Sequence, residues 1–179
     1  ILCHSLSLDA LSLLVDKERL VSQSQARIIA ACLKRRYEGE PVAYITGVKD
    51  FYKDSFIVNS HVLIPRPETE LLVEWTIKNL FKIKDKKMSL LELGVGSGCL
   101  IISILLSLKK NKVSALGVDI SNKALDIADK NKKKFNLEKK LKLKKSDWFS
   151  EVHGKFDVII SNPPYIKTSD IKNLDKDVK

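Results

Sequence analysis

The rhythm of apolar and polar positions changes twice along the chain. In the first forty residues the spacing is helical: Ala26, Ile29, Ala30, Leu33 and Tyr37 fall three or four apart. Gly39 and Pro41 stop that helix. Leu8 to Val15 predicts a shorter helix before it, and Ile1-Leu2 read as continuing a helix whose start is missing. From Pro41 to Pro65 the residues favour strands: Val42, Tyr44, Ile45, Phe51, Phe56, Ile57, Val58, Val62, Leu63 and Ile64. With Asn59-Ser60 as a turn, the segment reads as a β-hairpin linker.

A third regime begins at Pro65. Pro67 suits the first turn of a helix, and Glu68 and Glu70 suit its positive end. Leu72, Trp75 and Phe81 would be its buried face. After a polar break at Lys82–Lys87, strands and helices alternate. The predicted strands are Ser89–Leu93, Ser114–Val118, Leu141–Lys144 and Phe156–Ser161. A helix runs from the glycine loop to about Leu108, with Lys109 and Lys110 at its negative end. Another is capped by Ser121 and runs to about Phe135. This alternation predicts an α/β fold with a parallel sheet and right-handed crossovers.

Composition narrows the class. A chain of 179 residues, 44% hydrophobic and 30% charged, is long enough for one α/β domain with a small appendage. Its longest apolar stretch, Cys99 to Leu106, is far shorter than the roughly 20 residues of a membrane span. The chain starts at Ile1, which reads as a piece of a longer protein. Three scattered cysteines (Cys3, Cys32, Cys99) and three scattered histidines form no disulfide framework or metal-ligand spacing, and suit a reducing, cytoplasmic setting. The net charge of +10 is uneven. Residues 1–70 hold 9 basic and 9 acidic groups, and residues 71–179 hold 23 and 13. Such an excess can attract nucleic acid. Only five of the 32 basic residues are Arg, however, which favours a solvated lysine surface.

Three constellations carry chemistry. Glu92-Leu93-Gly94-Val95-Gly96-Ser97-Gly98 is the first, a glycine loop between a strand and a helix, where backbone can approach a ligand and the helix N-terminus adds free N–H groups. Asp119 ends the next strand, where an acidic residue can bind ribose hydroxyls. The spacing G-x-G-x-G differs from the dinucleotide pattern and leans toward S-adenosylmethionine. Asn162, Pro163, Pro164 and Tyr165 stand at the carboxyl end of the last strand, where ligands bind in open parallel sheets. The Asn162 oxygen and the Pro163 carbonyl can accept the two hydrogens of a planar –NH2 group, with the Tyr165 ring stacked on it. The alternative there is a strand-ending turn.

Residues 162–165 resemble the substrate motif of amino-methyltransferases. Segments 39–47 (Gly39-Glu40-Pro41-Val42-Ala43-Tyr44-Ile45-Thr46-Gly47) and 62–70 (Val62-Leu63-Ile64-Pro65-Arg66-Pro67-Glu68-Thr69-Glu70) resemble the HemK family more specifically, as does Ser146-Asp147-Trp148-Phe149. These are protein-(glutamine-N5) methyltransferases that modify peptide-chain release factors. The resemblance implies a class I S-adenosylmethionine-dependent methyltransferase, with a Rossmann-like sheet of which this chain supplies the first four strands. It implies a truncated helical domain over 1–40, the hairpin linker over 41–66 and a catalytic domain over 67–179. Residues 94–98 would wrap the methionine part of the cofactor, Asp119 would bind ribose and Trp148 would lie beside adenine. Asn162 would touch both cofactor and the substrate amide, with Arg66 and Thr69 bordering the pocket. No metal is implied. The substrate would be the glutamine of a release factor's Gly-Gly-Gln loop. Three alternatives stay open: an exocyclic amine of a nucleic-acid base as acceptor, a bifunctional protein fused to a tRNA methyltransferase domain, or a non-catalytic module that binds a partner.

Overall fold

The computed structural model describes residues 1–16, 18–80, 87–108 and 112–163. These fall into two compact units, residues 1–47 and residues 48–163.

The first unit is helical: α1 (Leu2–Leu6), α2 (Ala10–Val15), α3 (Gln23–Tyr37) and α4 (Val42–Thr46). The Asp9 carboxylate accepts the Ser12 N–H at 2.8 Å and starts α2. Ser22 and Gln25 start α3 with a reciprocal capping box, at 3.2 and 3.0 Å. The inward line of α3 is Gln25, Ile29 and Cys32, whereas Ala26, Ala30, Leu33 and Tyr37 are exposed. The expected periodicity is present but turned by a residue. Arg35 then grips Glu40 through two bonds of 2.6 Å and folds the chain back after the helix.

Residues 42–46 correct the expected strand. Pro41 enters with φ −58°, its carbonyl takes the N–H groups of Tyr44 and Ile45, and Gly47 ends the turn at φ +74°. A proline before the helix and a left-handed glycine after it outweigh the strand preference of Val42, Tyr44 and Ile45.

The second unit opens with an antiparallel hairpin, β1 (Val48–Phe51) and β2 (Asp54–Ile57), in the register Val48↔Ile57 to Phe51↔Asp54. Its turn is Tyr52-Lys53, so the hairpin is shorter and earlier than the sequence suggests. Asn59 instead begins the exit loop, where its backbone carbonyl accepts the Val62 N–H. Residues 62–64 form no strand. A 3-10 turn at Pro67–Thr69 leads into α5 (Glu70–Leu80). This helix buries Val73, Thr76, Ile77 and Leu80 and leaves Trp75 exposed, again one position from the expected face. Phe81 and the lysines at 109 and 110 lie outside the described residues.

The sheet contains β3 (Met88–Leu93), β4 (Val113–Asp119), β5 (Leu141–Lys145) and β6 (Val158–Ser161), with α6 (Cys99–Ser107) and α7 (Asn122–Lys134) as crossovers. All pairs are parallel, in the order β5-β4-β3-β6. The chain steps outward from β3 to β4 and β5, then returns to pair β6 on the other side of β3. Ligand crevices form at such a reversal, above the strand carboxyl ends. Alternate residues of β3 serve two cores. Met88 and Leu90 join the large cluster with α5, α6 and the hairpin phenylalanines. Leu91 and Leu93 join a smaller one with Val118, Val152 and Phe156. Helix α6 is apolar all round, with Ile101, Ile102, Ile104 and Leu105 without solvent exposure. Among the described residues no helix is long and apolar enough to cross a membrane.

Gly117, in the middle of β4, shows how tightly the sheet supports what lies above it. A Cβ there would stand 2.8 Å from Val95 Cγ2 and 3.1 Å from Leu143 Cδ2. Gly117→Ala is expected to destabilise the protein by about 1–3 kcal/mol through overpacking. Urea unfolding of the two proteins checks this, and an unchanged midpoint refutes it.

Candidate cofactor and substrate site

The glycine loop follows β3 directly. Its glycines are all left-handed, with φ +70° at Gly94, +52° at Gly96 and +79° at Gly98. Their roles differ. A Cβ on Gly94 or Gly96 would meet no atom within 4 Å, so these two border open space where a ligand can come against bare backbone. A Cβ on Gly98 would meet Ile102 Cδ1 at 3.0 Å and Ala128 Cβ at 3.6 Å, so this glycine lets the loop settle on α6 and α7. Val95 is buried and its N–H bonds the Val118 carbonyl at 2.9 Å, tying the loop to β4.

Two carboxylates hold the loop. Asp119 Oδ2 accepts the Gly96 N–H at 2.9 Å, and its Oδ1 accepts the Ser121 N–H at 2.9 Å. Ser121 in turn caps α7 at Ala124. The second carboxylate, Glu92, is 3% exposed and accepts the Ile101 N–H at 3.1 Å. Gly98 occupies the N-cap of α6 and has no side chain to offer, so Glu92 caps that helix from the strand. Burial, then the charge of Asp119, push the Glu92 carboxyl well above its ordinary range, while the Ile101 N–H opposes them. Burial and Glu92 likewise push the neighbouring Cys99 thiol up to about 12. Behind the loop, the buried Asn131 of α7 donates to the Ser97 carbonyl at 2.9 Å.

Trp148 stands at the same end of the sheet. Its backbone is left-handed at φ +48°, a conformation that costs a bulky residue energy, and its side chain is 54% exposed. Ser146 holds this turn. Its N–H bonds the Asp119 carbonyl at 3.0 Å, and its hydroxyl donates to the Trp148 carbonyl at 2.8 Å. Asp119 and Trp148 are therefore brought together through one serine.

On the other side of β3, β6 ends at Asn162. Ser161 Oγ donates to the Leu93 carbonyl at 2.9 Å and fixes the strand end beside the start of the glycine loop. The Asn162 amide nitrogen donates to Thr69 Oγ1 at 3.0 Å. Thr69 is 8% exposed and belongs to the 3-10 turn, so this turn meets the end of β6 through Thr69. Pro163 follows, half-buried. Pro164 and Tyr165 lie outside the described residues. Sequence reasoning missed the structural parts of Glu92, Asn131 and Ser146. The signal for Glu92 was an acidic residue among apolar ones in a central strand.

Parallel strands, the reversal at β3 and a glycine loop backed by an acidic residue on β4 define a Rossmann-like α/β fold. A solved S-adenosylmethionine-dependent methyltransferase from Agrobacterium tumefaciens shares that fold, with a TM-score of 0.53 and 20% identity over 65% of this chain and 39% of the other. The chain belongs to the methyltransferase small domain family, whose model matches residues 67–176. A PrmC N-terminal domain model matches residues 1–47. The chain is 40% identical over 178 residues to a release factor glutamine methyltransferase of Buchnera aphidicola, covering 99% of this chain and 62% of the relative. It is 40% identical over 175 residues to a bifunctional methyltransferase of Rickettsia typhi, covering 88% of this chain and 33% of the relative. The chain thus spans between a third and under two thirds of these relatives. The HemK resemblance seen in the sequence agrees with these matches.

Glu92 makes the stability of the fold depend on pH. Its folded carboxyl titrates above the ordinary value of 4.5, so the folded state binds more protons than the unfolded state between those two values. Its contribution to stability is full below about 4.5 and is lost as pH rises toward the folded value. Glu92→Gln keeps an acceptor for Ile101 and removes the titration. The variant's stability relative to wild type is expected to rise with pH above 4.5 in unfolding curves taken across that range. A constant difference refutes it.

Proposed function

We propose that the chain is the cofactor- and substrate-binding part of an S-adenosylmethionine-dependent enzyme that methylates the glutamine amide in the Gly-Gly-Gln loop of peptide-chain release factors. The observation that carries this reading is Asn162 at the carboxyl end of β6, beside the glycine loop, with its nitrogen committed to Thr69. The acceptor it has to offer a substrate is then its oxygen. Relatives named release factor glutamine methyltransferase support the choice of substrate. The open space over Gly94 and Gly96 fits a ligand lying against bare backbone. The exposed Trp148 offers an aromatic side chain on a turn that Ser146 ties to the backbone of Asp119.

When bound, S-adenosylmethionine supplies an activated methyl group on a sulfonium. Residues 94–98 are assigned to its methionine part, Asp119 to its ribose and Trp148 to its adenine. Each Asp119 oxygen takes one backbone N–H and retains lone pairs for a hydroxyl. The Asn162 oxygen and the Pro163 carbonyl would accept the two amide hydrogens, with Tyr165 against the amide plane and Pro164 stiffening the turn. A glutamine amide is a weak nucleophile, because its lone pair is shared with the carbonyl. Fixing it in line can supply about 7–11 kcal/mol in favourable cases. Two acceptors on the –NH2 group also stabilise the positive charge that grows on nitrogen. No side chain need remove a proton before transfer. We place this activity in the cytoplasm, a reducing setting that suits three free thiols.

A nucleic-acid amine is the second reading, favoured by one feature. Residues 130–145 carry nine lysines and a single acid, Glu138. Most of these lysines are exposed, on the last turns of α7 and along β5. The same lysines also guard an open sheet edge, a role that needs no nucleic acid.

The test uses the full-length protein, methyl-labelled S-adenosylmethionine, a release factor and the same factor with its Gly-Gly-Gln glutamine changed to alanine. Label is expected on the first factor alone. Asn162→Ala is expected to lower transfer by about a hundredfold or more while changing cofactor affinity by only a few fold. Label on both factors overturns the glutamine assignment. Label on RNA or DNA alone moves the acceptor to a base.

A further inference from the structure

The helix interior of α7 contains a residue that local preference disfavours. Asn131 is a poorer helix former than alanine, and it has no solvent exposure. Its bonds account for its presence. Oδ1 accepts the Ile57 N–H at 2.8 Å, and Nδ2 donates to the Ile57 carbonyl at 2.9 Å. The side chain thus pairs both backbone groups of one residue, as a neighbouring strand would. The second hydrogen of Nδ2 goes to the Ser97 carbonyl at 2.9 Å, inside the glycine loop. One amide therefore joins the end of the hairpin to the loop, although these lie 74 and 34 residues from it in sequence.

The rest of α7 reinforces the link. Phe135 packs on Phe56 with ring centroids 5.1 Å apart, and Phe56 is fully buried. The Lys134 ammonium donates to the Ser55 carbonyl. Toward its other end, Ala128 lies under Gly98, and Ser121 caps the helix beside Asp119. Hairpin and loop are thus fastened to a single rigid element, with no solvent at the central joint.

We propose that Asn131 is a positioning residue that couples the β1–β2 hairpin to the glycine loop, so that hairpin packing sets cofactor affinity and cofactor binding tightens the hairpin. This rests on the cofactor reading above. Coupling between two sites is reciprocal, and it commonly amounts to a 5- to 150-fold change in affinity.

The experiment measures S-adenosylmethionine affinity by calorimetry, and amide exchange at Ile57 with and without the cofactor, on the full-length protein. Asn131→Asp keeps an acceptor for the Ile57 N–H but, ionised, has no hydrogen for the Ser97 or Ile57 carbonyls. It is expected to weaken binding about tenfold or more and to abolish the cofactor-dependent slowing of Ile57 exchange that wild type shows. Phe56→Leu loosens the hairpin's packing on Phe51 and Phe135 while leaving the three Asn131 bonds in place, and is expected to weaken binding about fivefold. If Asn131→Asp does not fold, Phe56→Leu and the wild-type exchange decide the matter. Wild-type affinity in the folded variants, or no effect of the cofactor on Ile57 exchange in wild type, overturns the coupling alone. No binding by wild type overturns the cofactor reading and the coupling with it.

Discussion

A loop with three left-handed glycines has few side chains to hold its own shape, so its form depends on partners that take its N–H and C=O groups. Here those partners come from the two strands at the middle of the sheet and from the helix behind. Asp119 takes the Gly96 N–H and Asn131 takes the Ser97 carbonyl, while Glu92 takes the Ile101 N–H of the helix that continues the loop. Glu92 and Asn131 are placed where burial makes an unpaired atom costly, so their bonds are strongly enforced. The apolar all-round α6 gives these groups a fixed wall. The site's precision therefore originates in the core. Gly117 leaves room for Val95, Val95 ties the loop to β4, and the carboxylates lock what remains.

The alternation of strands and helices from residue 88 onward was legible because it is a local pattern repeated along the chain. So was the order of the glycine loop, Asp119 and Asn162, since a parallel sheet puts every strand's carboxyl end on one side. The helix faces were less legible. In α5 the buried line runs through Val73, Ile77 and Leu80, and the larger Trp75 lies outside it. In α3 the inward residue is Cys32 rather than Leu33. A shift of one position rotates a helix by about 100°, and residue size alone does not determine which apolar line turns inward. Residues 42–46 failed for a different reason. Two β-branched residues and a tyrosine indicated a strand, but the flanking Pro41 and Gly47 determined the conformation.

The least legible parts of the site are those that act across long sequence distances. Nothing near Asn131 in the sequence indicates that it will meet Ile57 and Ser97. Nothing near Thr69 indicates Asn162, 93 residues away. Such partners become visible only when the sheet order is known, because the reversal at β3 brings β6 back beside the loop. Glu92 is the intermediate case. An acidic residue in a buried strand must be neutral, paired or both, so the sequence raises the question. The answer, a cap for a helix that begins on glycine, requires the structure.

The reversal at β3 also divides the work of the proposed site. Asp119 and Trp148 lie toward β4 and β5, and Asn162 and Thr69 lie toward β6 and the 3-10 turn. The glycine loop stands between them. One group's partners can change with little strain on the other, since they share β3 and the loop but no direct bond among those described. On the proposed reading, substrate choice rests on Asn162 and its bond to Thr69 more than on the lysines of the opposite edge. Those lysines stand on β5 and the end of α7, on the far side of the sheet from the end of β6. Any role they have in holding a polyanion would act on docking rather than on the alignment of the reacting nitrogen.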